Sequence, residues 1–359
     1  MRFAAVLFCL VDLLCGSMVV TRTNPDHDVM VRNMGEAKVT IQIPAEESIE
    51  EQATVGGRRK RVLDAKPSIF GESVISGPDY ERGGTFTPDG KTFYFSKRSP
   101  SGYFSAICVS HYRNGKWSMP EIASFSGHFV DQDPIISPDG SKLFFTSRRP
   151  VNGKEREDSD IWSAEKTDVG WSQPQNLGPP VNTSANEGYA TVTREGTLYF
   201  HSSREGGRGS FDIYRSRSLN EKYAEPENLG DAINTPAAEA HPFIAPDESY
   251  LVFLSVGRSD EIIGDGNRYV RGDLYVSLRR DGVWTTARHL GSDINTAAAE
   301  LCPFVSLDGK YLFFTSERGF VTTLPKERLG FHQIMRGLRS ISNGLGNIYQ
   351  VDISALGVN

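Results

Sequence analysis

The chain has 359 residues, of which 38% are hydrophobic, and it contains 35 glycines. That composition is sufficient to bury a substantial core, which excludes an intrinsically disordered protein. Thirty-nine basic residues against 45 acidic ones give a net charge of −6. Because a protein that binds by neutralising phosphates needs the opposite sign, nucleic acid is not an expected partner.

The N-terminus has the pattern of a signal peptide. Arg2 precedes an apolar run over residues 3–14, and small residues close the segment. We therefore expect residues 1–17 to be a signal peptide and the protein to be exported, to the periplasm or the extracellular space. Asp12 inside the apolar run leaves a disordered tail or a wrongly assigned start as the alternative.

Lipid anchoring at Cys15 is a second alternative, which Leu14 disfavours because bacterial lipoprotein signals carry Gly or Ala at that place. No other segment has the roughly 18 consecutive apolar residues of a membrane span, so no transmembrane span is predicted. Residues 18–61 are polar and end in a basic quartet at 58–61, so we expect a flexible linker. The alternative is that the quartet binds an acidic surface.

A repeat organises the rest of the chain. Five segments share the template of a short apolar strand followed by Pro-Asp-Gly or a close variant, as in Phe86–Gly90 and Ile136–Gly140. Their acidic turn residues are separated by 50, 56, 52 and 61 residues, and they are Asp89, Asp139, Glu195, Asp247 and Asp308. Such periods are typical of one propeller blade per repeat.

Each repeat is predicted to contain four strands. The first strand enters the Pro-Asp-Gly turn and the second leaves it, which makes a hairpin. A third strand carries Asp-Ile-Tyr or a variant of it, as at Asp212–Tyr214, and a fourth begins near an aromatic residue such as Trp171.

These elements resemble the WD40-like, TolB-type propeller repeats with a Pro-Asp-Gly turn, over about residues 62–359. The resemblance implies an all-β protein built as a single β-propeller of four-stranded blades. Two repeats depart from the pattern, with Ala106–Cys108 in place of Asp-Ile-Tyr and Arg194-Glu195 in place of Pro-Asp. The last repeat lacks a fourth strand, and Val62–Gly71 occupies the place of one. We therefore predict five blades closed by an N-terminal strand, with six blades as the alternative if residues 39–43 begin another.

An acidic residue lies eight positions before the acidic turn residue in every repeat. These ring carboxylates are Glu81, Asp131, Glu187, Glu239 and Glu300. The favoured interpretation is that each accepts N–H donors from the loop that precedes it. The alternative is a binding role, as ligands of a Ca²⁺ ion or as an acidic mouth for a basic partner. Arg98, Arg148 and Arg204 are expected to pair with the third-strand residues Asp160, Asp212 and Asp273.

The loop between the second and third strands is longest in the fifth repeat, over Gly319–Gly346, and we call it the blade-five loop. Its spacing of Phe331, Ile334, Met335 and Leu338 predicts a short amphipathic helix that packs its apolar side on the ring. The basic side chains would then face an anionic partner. Three further binding residues are therefore predicted: His332, Arg336 and Arg339. The alternative is a lid that binds nothing.

Enzyme motifs are mostly absent from the sequence, which has no Gly-x-Ser-x-Gly and no His-Glu-x-x-His. Cys108 and Cys302 are expected to be buried thiols. We therefore expect an exported binding scaffold for a protein or an envelope polymer such as polysaccharide or peptidoglycan. No catalysis and no cofactor are expected, apart from the Ca²⁺ alternative. The competing hypothesis is a carbohydrate-active or metal-dependent hydrolase or lyase with its site at the channel mouth.

Overall fold

The computed structural model describes residues 30–34, 37–41, 66–219, 222–263, 272–320 and 325–358. The chain divides into two units, Met1–Arg61 and Val62–Asn359. In the first unit, β1 (Met30–Met34) pairs antiparallel with β2 (Ala37–Ile41). The predicted signal peptide, Cys15 and the basic quartet lie outside the described residues.

The second unit is a five-bladed β-propeller, as predicted. Five antiparallel sheets each have at least four strands, and the first strand of every sheet contacts the first strand of the next. The first strand of the last blade contacts that of blade one, which closes the ring. The six-blade alternative does not occur, because residues 37–41 pair with β1 in a separate two-stranded sheet.

The strands follow in chain order, after the short strand β3 (Ser68–Ile69). Blade one has β4 (Tyr80–Phe86), β5 (Thr92–Arg98), β6 (Ser105–Arg113), β7 (Lys116–Trp117) and β8 (Glu121–Ile122). Blade two has β9 (Asp131–Ile136), β10 (Lys142–Ser147), β11 (Asp160–Thr167), β12 (Gly170–Trp171) and β13 (Gln175–Asn176). Blade three has β14 (Glu187–Val192), β15 (Leu198–Ser202), β16 (Asp212–Ser216), β17 (Ser218–Leu219), β18 (Lys222–Tyr223) and β19 (Glu227–Asn228).

Blade four has β20 (Ala238–Ile244), β21 (Tyr250–Val256), β22 (Asp273–Arg280), β23 (Val283–Trp284) and β24 (Arg288–His289). Blade five has β25 (Glu300–Val305), β26 (Tyr311–Ser316) and β27 (Asn347–Asp352), and its fourth strand is β3. The helix α1 (Phe331–Leu338) lies in the blade-five loop, and a 3₁₀ turn (Ile353–Leu356) follows β27.

Ring closure depends on the N-terminal strand. Ser68 pairs with Gln350 and Ile69 with Tyr349, so the two ends of the propeller meet in one sheet. Phe70 then packs edge-on against Phe313 of blade five and Phe93 of blade one. The predicted fourth strand is therefore present, and the residue after it joins the first blade to the last.

The Pro-Asp-Gly turns form as their residues require. The Asp89 carboxylate accepts from the hydroxyl of Thr87 and from the N–H of Lys91, and Gly90 has a φ of 66° that favours glycine. In blade four Glu248 takes the glycine position with a φ of 58°. We call the end of the ring with these turns the lower face; the connections between blades and the loops between second and third strands lie at the upper face.

The core lies between adjacent blades, because each sheet packs an apolar side against the next. Phe93 and Phe95 of blade one, for example, share a buried cluster with Phe304, Phe313 and Ile348 of blade five. Large aromatic side chains of the second strands are fully buried throughout the ring. This packing holds the first strands around a common axis.

Candidate functional site

The five ring carboxylates are all fully buried at the start of the first strands. In blade four, one oxygen of Glu239 accepts from the N–H of Thr235 at 2.9 Å, and the other accepts from the hydroxyls of Thr235 and Ser255. Glu187 and Glu300 make the same set of hydrogen bonds in their own blades. Bonds of this kind satisfy the N–H donors of the loop between blades.

The two remaining ring carboxylates use different donors for the same purpose. Asp131 accepts from the hydroxyls of Ser126 and Ser147. Glu81 accepts from the N–H of Gly77 at 2.9 Å, and the ammonium of Lys97 lies 3.0 Å from its other oxygen. Burial raises the pKa of Glu81, and it does the same for Glu187 and Glu300. The binding role of the five carboxylates stays a prediction.

A largely buried arginine follows the second strand in four blades and pairs with the ring carboxylate. In blade four, Arg258 lies 3.0 Å from Glu239, and its guanidinium stacks over Tyr275 of the third strand. It also donates to the carbonyl of Ile233 in the loop between blades. The same arrangement recurs at the equivalent arginines Arg149, Arg204 and Arg318.

The expected pairing of Arg98, Arg148 and Arg204 with the third-strand aspartates is therefore wrong. Arg204 reaches inward to the ring carboxylate Glu187. In blade two the arginine that pairs with the ring carboxylate is Arg149, and in blade one Arg98 lies over the ring of Tyr80. The third-strand aspartates instead accept from fourth-strand side chains, Asp160 from Asn176 and Asp212 from Asn228. Asp273 bonds to His289 in the same way.

A second repeated position lies two residues after each ring carboxylate. The residue there has a left-handed φ between 48° and 58° in every blade, and the pairing register shifts around it. Such a bulge re-aims a side chain. The five residues are Gly83, Asp133, Tyr189, His241 and Cys302. The side chains of Asp133 and Cys302, from the non-adjacent blades two and five, contact each other, so this position faces the axis of the ring.

All five blades contribute to the group of polar side chains at the axis. This axial cluster consists of Arg82, Asp133, Tyr189, His201, His241 and Cys302. The guanidinium of Arg82 donates to both oxygens of Asp133, and one of its nitrogens lies 3.3 Å from both His241 Nε2 and Cys302 Sγ. Tyr189 donates to the carbonyl of Pro303 at 2.9 Å.

The axial cluster contains one ion pair, between Arg82 and Asp133, and its other side chains are neutral. Burial, with Arg82 nearby, lowers the pKa of His201 to about 3 and that of His241 well below its usual value. Burial raises the pKa of the Cys302 thiol despite the positive charge of Arg82. A buried thiol of raised pKa is a poor nucleophile. The cluster is therefore suited to joining the blades and to hydrogen bonding.

Sequence reasoning missed most of the axial cluster. It predicted buried thiols at Cys302 and Cys108, and both are buried and form no disulfide. The available signal was that five different residue types occupy one aligned position of an otherwise regular repeat. Such variation marks the place where the blades differ.

The lower end of the channel is apolar. A pocket of about 110 Å³ is lined by residues from all five blades, including Phe86, Ile136, Val192, Ile244 and Val305. The channel is thus polar near the upper face and apolar near the lower face.

The blade-five loop forms the predicted helix, with a different orientation. Phe331, Ile334 and Leu338 are 72%, 37% and 52% exposed, and Gly337 is buried. The expectation that the apolar side packs on the propeller is wrong for these three side chains, because Gly337 allows the aromatic ring of Phe320 to lie against another side of the helix. The fourth predicted side chain, Met335, is half-buried. His332, Arg336 and Arg339 are exposed as predicted, and their binding role stays a prediction.

Asn343 ties the base of this loop to blade one by donating to the carbonyl of Pro78. The loop and the ring carboxylates thus lie at the same end of the propeller, but within the described residues the basic side chains of the loop form no ion pair with the carboxylates. Among the described residues, no group of three His, Cys, Asp or Glu side chains could hold a metal ion. None of the helices in this part of the chain has the length and apolarity to span a membrane.

The chain matches no protein-family model and none of the curated proteins. Among solved structures it is similar to a protein from Agrobacterium tumefaciens assigned as TolB, with 15% identity over 77% of this chain and 91% of that one, at a TM-score of 0.44. It is also similar to an α-L-arabinofuranosidase from Lactobacillus brevis, with 11% identity, coverages of 78% and 93% and a TM-score of 0.48. A third similar structure is a gluconolactonase from Xanthomonas campestris, with 13% identity over 71% of this chain and 79% of that one, at a TM-score of 0.41. The propeller assignment itself rests on the strand pairings described above.

Proposed function

We propose that the protein is an exported propeller that serves as a binding scaffold for a partner in the cell envelope and does no chemistry. The observation that carries the proposal is the blade-five loop, which presents exposed apolar and cationic side chains at the upper face. The ring carboxylates support it in a different way, because their oxygens are engaged in hydrogen bonds and ion pairs within each blade. A partner would therefore meet the loop rather than the carboxylates.

The charge of the loop indicates the kind of partner. Lys326, Arg328, Arg336 and Arg339 are opposed only by Glu327, so the loop is basic on a protein whose net charge is −6. Local positive charge on an acidic protein favours association with an anionic surface. The proposed partners are an acidic envelope protein or an anionic envelope polymer.

The test replaces residues 325–342 by Gly-Ser-Gly and leaves the base of the loop in place. Purified peptidoglycan sacculi and isolated anionic envelope polysaccharide serve as probes in pelleting assays, and crosslinking in envelope extract identifies a protein partner. The shortened variant should lose capture while its Tm stays within a few degrees, because Gly337 is the one fully buried residue of α1. Equal capture by both proteins would place the binding surface elsewhere.

One observation favours catalysis as a second candidate function. The axial cluster breaks the symmetry of the repeats and gathers a carboxylate, two imidazoles and a guanidinium at one point. In this hypothesis Asp133 or His241 transfers a proton in a hydrolase or lyase reaction. Turnover of a panel of aryl glycosides that is lost in Asp133→Asn, with an unchanged fold by circular dichroism, would favour it; absence of turnover across the panel in the wild type would oppose it.

A further inference from the structure

The orientation of α1 is fixed by one close contact. A Cβ atom on Gly337 would lie 2.4 Å from the ring of Phe320, so this side of the helix faces the protein at the distance that only glycine allows. At 3.6 residues per turn, Phe331 and Leu338 lie roughly 100–120° around the helix from Gly337. Those side chains therefore point to the side of the helix, away from Phe320, and both are exposed.

The exposed surface of α1 is part apolar and part basic. Phe331, Ile334 and Leu338 form an apolar stripe, since residues three, four and seven apart share one side of a helix. Arg339, which ends the helix, lies roughly 80° from Phe331 at the edge of the stripe, and Arg336 lies on the opposite flank of the helix; both are exposed. An exposed apolar stripe on a helix that also carries arginines is typical of a helix that lies in the interface of a membrane.

A neighbouring loop adds apolar side chains at the same face. Tyr103 is 88% exposed and Phe104 47% exposed, in the loop between β5 and β6 of blade one. Blade one adjoins blade five, because β25 contacts β4 and Asn343 bonds to Pro78. Two adjacent loops of the upper face thus end in exposed aromatic side chains.

The cations of the blade-five loop are available to a partner. Within the described part of the chain, Lys326, Arg328, Arg336 and Arg339 form no ion pair, although most buried arginines of the ring do. The overall charge of −6 would repel an anionic surface. A local cluster of cations overcomes this at contact, because salt screens charges more than about 8–10 Å away.

We propose that the upper face docks on the surface of an anionic lipid bilayer, with Phe331, Leu338 and Tyr103 entering the headgroup region and the loop cations contacting lipid phosphates. The proposal rests on the binding role given to the blade-five loop, and it takes an anionic lipid surface, rather than a protein or a polymer, as the partner in the cell envelope. A bilayer fits better than a protein groove, because the exposed apolar side chains come from two separate loops, and a groove that takes the stripe of α1 would leave Tyr103 uncovered. Apolar side chains with basic ones nearby need only an interface, which a bilayer supplies.

The experiment measures co-sedimentation of the full chain with vesicles of phosphatidylcholine alone and of phosphatidylcholine mixed with phosphatidylglycerol. The wild type should bind the mixed vesicles and should bind more weakly as salt is raised. Phe331→Ser/Leu338→Ser should abolish binding at every salt concentration. Arg336→Glu/Arg339→Glu should weaken it by at least about tenfold, since each cation near such a surface contributes to binding.

Matched controls come from the lower face. Val169, which is 98% exposed in the turn between β11 and β12, gives Val169→Ser as the apolar control. Arg113→Glu/Lys116→Glu, at the turn between β6 and β7, is the charge control. Both should bind like the wild type. As a second readout, tryptophan emission of Phe331→Trp should shift to shorter wavelength with mixed vesicles.

Two outcomes would overturn the lipid proposal: no binding of the wild type to mixed vesicles, or equal binding of the Phe331→Ser/Leu338→Ser variant. Failure of the lipid proposal can be distinguished from failure of the binding role of the loop. If lipid-free sacculi or polysaccharide still capture the wild type and lose the loop-shortened variant, the loop binds a polymer and the lipid proposal alone is wrong. If neither vesicles nor these probes depend on the loop, both are wrong.

Discussion

At the scale of single residues, the ring carboxylates show how a repeated acidic position acquires a structural role. Each one joins a loop between blades to the first strand that follows it. In four blades it also neutralises an arginine that reaches back to the same loop. Removing either charge would leave the other buried without a partner, which is costly.

Glu239 is the position at which this can be measured. Glu239→Gln should destabilise the protein by about 1–3 kcal/mol, since it keeps an acceptor but leaves Arg258 without its counter-charge. Glu239→Leu should cost about 3–5 kcal/mol, because the donors of Thr235 and Ser255 also lose their acceptor. Urea denaturation measures both values. Glu225, exposed in the neighbouring blade three, supplies Glu225→Gln and Glu225→Leu as controls that should each change stability by less than about 0.5 kcal/mol.

The axial histidines predict a dependence of stability on pH. The pKa of His201 is lowered to about 3 in the folded protein, and that of His241 is also lowered. In the unfolded chain these histidines bind protons below about pH 6.5, whereas in the folded protein they stay neutral. The contribution of the two histidines to stability is therefore complete above that pH and declines toward pH 3.

Urea midpoints between pH 7.5 and 5 measure this slope. His201→Gln/His241→Gln should flatten it, whatever its effect on stability at pH 7.5, and His332→Gln, at an exposed position, should not. A wild-type midpoint that is independent of pH across the interval would contradict the assignment of neutral imidazoles at the axis.

At the scale of elements, the strands were predictable and the orientation of the helix was not. Local backbone chemistry determines turn residues such as Pro88–Gly90 and third-strand motifs such as Asp212–Tyr214. These motifs therefore recur in order and mark the blades. The spacing of Phe331 and Leu338 predicted a helix for the same reason. Its orientation depends on the contact between Gly337 and Phe320, which periodicity does not encode.

The axial cluster could not be predicted from the sequence for a related reason. A left-handed bulge in a strand is usually marked by glycine, yet only Gly83 among the five positions is one. Contacts such as that of Cys302 with Asp133 join residues from blades that are not neighbours. A repeat pattern identifies equivalent positions but does not say which side chains meet across the ring.

Ring closure gives a test at this scale. Phe70 contacts four aromatic rings of the first and last blades: Phe86, Phe93, Trp117 and Phe313. Phe70→Ala should destabilise the protein by about 2–4 kcal/mol, because the cavity would open between the first and last blades. Thermal unfolding with light scattering measures both the loss of stability and the exposure of the edge of β27. Phe104→Ala is the matched control, and a similar effect of both substitutions would contradict the closure role.

At the scale of the whole molecule, the propeller is a ring whose two ends lie in one blade. β27 and β3 are antiparallel neighbours, so the chain leaves and re-enters the fold at adjacent strands. In the other four blades, short turns or loops at the lower face join the third strand to the fourth. The ring therefore does not depend on the chain ends lying between β3 and β27.

This predicts that the ring tolerates circular permutation. A chain that starts at residue 72, runs to residue 358 and continues through a short Gly-Ser linker into residues 66–71 would make blade five contiguous. It should unfold in one cooperative transition with a Tm within a few degrees of that of residues 62–359. A permutant that starts within β21 is the control and should fail to fold, and a molten permutant in the first case would show that closure needs a free N-terminal strand.

The bulge that repeats in every first strand has a consequence for how such a protein changes over time. Strand pairing fixes the backbone on both sides of the left-handed residue, so its side chain can be exchanged without moving a strand out of register. The five blades already hold Gly83, Asp133, Tyr189, His241 and Cys302 at this one place. New chemistry at the axis can therefore arise by single substitutions, one blade at a time, while the blades, their closure and both outer faces are inherited intact.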